Sequence, residues 1–75
     1  MEWRDRIIFD PEICHGKACV RGTRIPVTVI LDNLAQGNNT ELILKQYPGL
    51  QKEDILAVLS YAAELASDRI FSFTP

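Results

Sequence analysis

From residue 26 onward the apolar positions recur with the period of a helix. Val27, Ile30, Leu31, Leu34 and Ala35 fall at i, i+3, i+4, i+7 and i+8, a single stripe that predicts a first amphipathic helix. Pro26 suits its first turn, where a missing N–H costs nothing, and Gly37 suits a left-handed stop. A second helix is predicted after Asn39, whose side chain can cap it, and it must end near Tyr47 because Pro48 follows. Ile43 and Tyr47 share one face of that helix; Leu42 and Leu44 do not, so it is apolar on more sides than one buried face requires. The third helix opens at "QKEDI", with Glu53 and Asp54 in the first turn where the helix dipole favours negative charge, and Leu50 and Ile55 spaced as a hydrophobic staple. Ile55, Val58, Leu59, Ala62, Leu65 and Ala66 form its predicted inner stripe.

The first 26 residues carry a different pattern. "RIIF" is β-branched and aromatic, "DPE" opens a turn, "ACV" is a short apolar run and "RGTR" is turn chemistry again, which together predict a hairpin or a paired extended arm. At the other end "DRIFSFTP" alternates two phenylalanines with polar residues, as a strand or a docking tail would. The fold class expected is mainly α: a three-helix, helix-turn-helix (homeodomain-like) bundle preceded by a short N-terminal β-hairpin or extended arm. The chain reads as one domain, with residues 1–26 as arm or hairpin, 27–67 as bundle and 68–75 as tail.

Size and composition bear on association. A chain of 75 residues has a core that seldom supplies more than about 3–5 kcal/mol of net stability. With 47% hydrophobic against 24% charged residues it is too apolar for a disordered segment, so a packed domain that also associates, as a homo-oligomer (dimer) or with another protein, is expected. The start lacks the apolar run of a signal peptide and no segment is long enough to span a membrane, so a cytoplasmic location is expected. Cys14 and Cys19 are too few for a secreted disulfide framework and read as thiols.

A formal charge of −2 argues against a protein held on nucleic acid by bulk charge, but the distribution is uneven. Residues 1–26 carry five basic against four acidic side chains, and residues 27–75 carry three against six. On the outer side of the third helix Lys52 stands against Glu53, Asp54, Glu64 and Asp68, a balance that opposes phosphate contact. If DNA is bound, Arg4, Arg6, Lys17, Arg21 and Arg24 of the arm are the better candidates.

The stretch "HGKACVRGTRIPV" holds two glycines and three cations but fails as a phosphate loop. Pro11 stands where the upstream glycine would be and Ala18 follows Lys17 in place of a hydroxyl. Gly16 and Gly22 read instead as turn residues, and Thr23 can hydrogen-bond its own turn. Arg24, just before the first helix, is placed to clamp a carboxylate or the chain itself. Cys14, His15 and Cys19, with Asp10, suggest a metal, but paired ligand spacing is lacking and adjacent side chains on an extended strand diverge, so no metal is assigned. The one histidine has no Ser–Asp partner nearby. No catalytic residue, cofactor or small-molecule substrate is assigned, and an enzyme is not expected.

"DPEICHGKACVRGTRIPVTVILDNLAQG" followed by "ILKQYPGLQKEDILAVLSYAAELA" resembles domain-of-unknown-function family 433, small prokaryotic proteins with a helix-turn-helix-like fold. The likeness covers about residues 7 to 66 and rests on "GK" five residues before "GTRI", a glycine-ended first helix, "YP" closing the second, and "EDI" and "YAA" in the third. Ala18 stands where the family usually has proline, and Asn39 and Gln51 where it commonly has serine or threonine caps; Asn is an adequate cap, Gln a poor one. The resemblance implies a VapB-type antitoxin that binds and silences a PIN-like ribonuclease toxin, with repression of its own operon as a further role. The alternative is a stand-alone DNA-binding regulator using the basic arm. For the antitoxin reading, the expected contact residues are Arg24, Leu42, Leu44, Arg69, Ile70, Phe71 and Phe73. The apolar ones would dock on the nuclease, and Arg24 or Arg69 would offset its acidic cluster.

Overall fold

The computed structural model describes residues 2–67. It is mainly helical, with three α-helices and a short two-stranded antiparallel hairpin near the N-terminus. A 3-10 turn, Trp3–Asp5, leads into strand β1, Ile7–Ile8, which pairs with β2, Cys19–Val20, in the register Ile7 to Val20 and Ile8 to Cys19. The ladder continues through Arg21 N–H to the Arg6 carbonyl at 2.8 Å. On its other side β2 meets the chain returning toward the helices: Val20 N–H donates to Ile25, Val27 N–H donates to Ala18, and Cys19 bridges Pro26. The predicted arm is therefore a hairpin built into the body of the domain, with Trp3, Ile7, Cys19 and Val20 all buried.

The "RGTR" turn that joins these segments closes as its chemistry predicts. Thr23 Oγ donates to the Val20 carbonyl at 2.8 Å and accepts from Ile25 N–H, while Gly22 takes a φ of +80°, open to glycine at no steric cost. Helix α1, Val27–Ala35, follows Pro26, which sits at the N-cap in an extended conformation, one residue before the helical turn expected for it. At its end Gly37 adopts a φ of +92°, with Gly37 N–H on Leu34 and Asn38 N–H on Asn33, the paired bonds of a Schellman stop. Asn39 caps helix α2, Thr40–Gln46, by accepting from Leu42 N–H at 2.9 Å. Pro48 lies two residues past its end.

Helix α3, Lys52–Ser67, opens with Glu53 and Asp54 in its first turn, as expected. Gln51 Oε1 accepts from Arg6, and Asp54, three residues in, reaches back and accepts from Gln51 N–H at 2.8 Å, the returning half of a capping box. Asp54 is consequently buried, which removes it from the outer face where the charge count had placed it. Leu50 and Ile55, the predicted staple, are both in the core. That core joins Trp3, Ile7 and Val20 of the hairpin to Val27, Ile30, Ile43, Leu50, Ile55, Ala57 and Val58 of the helical part.

The predicted inner stripe of α3 needs correction beyond its second turn. Ile55 and Val58 are buried, but Leu59, Leu65 and Ala66 are exposed. For Leu65 the cause is length: a 16-residue helix runs about 24 Å, whereas α1 and α2 run about 14 and 11 Å. Past Val58 the N-terminal 3-10 turn packs on α3 instead, through Trp3 on Tyr61 with ring centroids 4.8 Å apart and Arg4 on Glu64 at 3.1 Å.

Candidate functional site

Two surfaces hold side chains that the fold leaves open: the basic turn at the hairpin end and the outer face of α3. The five arginines and lysines of residues 1–26 divide into two groups. Arg4 pairs with Glu2 at 3.2 Å and Glu64 at 3.1 Å and lies over the Trp3 ring at 4.4 Å. Glu2 is held below the usual carboxylate range chiefly by Arg4 N–H and then by the Arg4 side chain. Arg6 donates to Asp54 at 3.0 Å and to Gln51 Oε1 at 3.3 Å, tying β1 to the start of α3. Both side chains thus have internal roles that the sequence pattern did not reveal.

Lys17, Arg21 and Arg24 are different: all are exposed, and among the described residues none has a side-chain ion pair. The guanidinium clamp expected of Arg24 is not seen among the described residues; its backbone carbonyl accepts from Cys14 Sγ at 3.3 Å. Arg21 helps to line a cleft of about 370 Å³ with Asp5, Arg6 and Asp54. Two guanidinium groups and two carboxylates make that cleft charge-balanced, and its deepest carboxylate is occupied by Arg6 and Gln51 N–H.

On α3 the spacing 56, 59, 63, 66 marks a second apolar stripe. Leu56 and Leu59 are 45% and 44% exposed, and Ala63 and Ala66 continue the line. Steps of three, four and three residues keep these side chains on one helix face. It lies on the far side from Asp54, Val58 and Tyr61. Leu42 on α2 is 39% exposed, but Leu44 packs against the core and offers little to a partner. Phe9 is half exposed and completes an aromatic cluster with Trp3 and Tyr61, centroids 6.5 and 5.9 Å away. The buried Trp3 Nε1 within it has no partner among the described residues. Leu56, Leu59 and Phe9 were not among the expected contacts; the 3-4-3 spacing of the α3 stripe was the signal available. Arg69, Ile70, Phe71 and Phe73 lie outside the described residues.

Cys14 and Cys19, read from sequence as thiols, are brought together with sulfurs 3.2 Å apart. Cys14 and His15 both adopt left-handed backbone, φ +53° and +56°, followed by Gly16 at +80°, so the alternation assumed for an extended strand does not apply there. Among the described residues no group of three or more His, Cys, Asp or Glu side chains is placed to hold a metal ion. None of the described helices is long and apolar enough to cross a membrane.

Comparison with known proteins agrees with the architecture. An uncharacterized protein from Sinorhizobium fredii, y4eO, is 36% identical over 59 residues, covering 79% of this chain; the chain spans only 27% of that relative's length. A crystal structure of a DUF433 member from Anabaena variabilis superposes with a TM-score of 0.78 at 34% identity, covering 87% of this chain and 64% of that one. The model of the family described as a protein of unknown function, DUF433, matches residues 7–62, and with hairpin, helix order and relatives in accord the chain belongs to that family.

Proposed function

We propose that this chain is a non-enzymatic binding module of a prokaryotic cytoplasm, an antitoxin-like protein that docks on a PIN-like ribonuclease and occludes it, with α2 and α3 as a helix-turn-helix-like unit. The observation that carries the reading is the outer stripe of α3, where Leu56 and Leu59 stand nearly half exposed on a helix whose other face already fills the core. Adjacent leucines on a rigid helix are suited to be the apolar anchor of an interface. The nuclease as partner comes from the family resemblance alone. The test is co-expression with a PIN-like nuclease from the same genome, measuring RNA cleavage and co-purification. Wild type should suppress cleavage, and the double variant Leu56→Ser, Leu59→Ser should release it while keeping its fold. Continued suppression by a folded double variant would remove α3 from the interface.

A second reading is favoured by one specific observation: Lys17, Arg21 and Arg24, without ion pairs among the described residues, lie within eight positions around the "RGTR" turn. Arg21 and Arg24 on the turn, with Lys17 just before β2, suit phosphate contact, so operator DNA would be met by this basic segment rather than by α3. Binding through three phosphates should weaken about 20–50-fold between 50 and 200 mM salt, whereas the apolar protein interface should change little. A salt titration of DNA and nuclease binding separates the two.

A further inference from the structure

We infer that Cys14 and Cys19 form a peroxide-oxidisable dithiol, a modification site that closes to a disulfide within one chain. Three independent features converge on it. The sulfurs are already 3.2 Å apart, so a bond of about 2.05 Å requires the side chains to close by little more than an ångström. The consecutive left-handed residues Cys14, His15 and Gly16 turn the loop back on itself, holding the Cys14 side chain over β2 in a conformation that L-residues otherwise avoid. Each thiol also reaches a carbonyl of the same turn, Cys14 that of Arg24 at 3.3 Å and Cys19 that of Thr23 at 3.4 Å, so both sulfurs are held in position.

Exposure sets the order of events. Cys14 is half-buried and can meet a small oxidant, whereas Cys19 is wholly enclosed. Burial, and then the hydrogen bond with Cys14, push the Cys19 thiol up to about 11, which further disfavours it as the first nucleophile. With hydrogen peroxide as oxidant, the Cys14 thiolate attacks one oxygen, the O–O bond breaks, and the departing hydroxide takes up a proton as water. Cys14 is then a sulfenic acid. The Cys19 sulfur attacks Cys14 Sγ, the S–O bond breaks, and a second water leaves with the Cys19 proton. Two thiols have lost two electrons and two protons, and one peroxide has become two waters. The product ties the His15 loop to the strand between Ile8 and Pro26 and ends the contact of Cys14 with Arg24, so it acts on the turn that carries the open cations.

Treatment of the purified chain with stoichiometric hydrogen peroxide tests this. Denatured and alkylated with iodoacetamide, the wild type should fall from two labels per chain to none, migrate as a monomer without reductant, yield a Cys14–Cys19 cross-linked peptide, and regain both labels after dithiothreitol. Cys19→Ser should instead accumulate a dimedone-reactive Cys14, and Cys14→Ser should keep Cys19 fully alkylatable once denatured. Persistence of both labels after peroxide, irreversible loss of them, or cross-links only between chains would each overturn the proposal. These wild-type outcomes decide the question even if a variant fails to fold, and they do not depend on the binding partner.

Discussion

The inner and outer faces of α3 carry comparable apolar side chains and stand in opposite surroundings. Ile55 and Val58 point inward and are sealed by α1, α2 and the hairpin, while Leu56 and Leu59, one position on, point away and are nearly half exposed. The same division runs through the cations. Arg6, half-buried and paired with the buried Asp54, joins β1 to the start of α3, whereas Arg21 across the same cleft has no ion pair among the described residues. In both cases residue type does not separate the structural member from the one left available. The position of neighbouring elements does.

Substitutions can sharpen that contrast. The largest effect is expected on the inner face: Ile55→Ala removes a side chain that is 1% exposed and should cost about 2–5 kcal/mol in urea unfolding, the usual range for a buried aliphatic truncation. Asp54→Ala comes next, because it removes the back-reaching cap and leaves Arg6 without its carboxylate; a loss of about 2–3 kcal/mol is expected from charge-assisted bonds of this kind. If Asp54→Ala were neutral, the tie between hairpin and helix would be incidental.

A smaller effect should appear only in alkali. The Cys19 thiol is raised in the fold to about 11 from an ordinary 9.0, so the folded chain keeps its proton where the unfolded chain has lost it. The sign follows by linkage: this contribution is complete below about pH 9, and is lost as pH rises toward 11. Chemical denaturation at several pH values should show the decline in wild type and a flatter curve in Cys19→Val. Smallest of all, Leu56→Ser with Leu59→Ser should change stability by no more than about 0.5 kcal/mol per site, as surface substitutions do, while abolishing the proposed capture of a nuclease. A large loss of stability in that variant would mean that the outer stripe belongs to the fold and not to an interface.

Much of the backbone plan was legible because its signals are local. Gly37 stops α1, Asn39 caps α2 and Thr23 closes the turn, each through bonds made within a few residues, and Pro48 follows the end of α2. Other features were not legible. Asp54 reads as an outward first-turn charge until Arg6, 48 residues away, is folded against it. Leu65 reads as core until α1 and α2 prove too short to cover a helix of that length, and Leu59 until it falls with Leu56 on the outer face. Trp3 gave no signal at all, yet it anchors the 3-10 turn on Tyr61.

By itself, then, the amino-acid order determined where helices begin and end, where the chain turns, and to which family it belongs, since caps, glycines and periodicity act between near neighbours. Only the tertiary structure decided which leucines face water, which arginines remain open and that two thiols five positions apart meet at 3.2 Å. Burial and pairing are set by what lies across the fold, and a one-dimensional pattern holds the period of a face but not the identity of what packs against it.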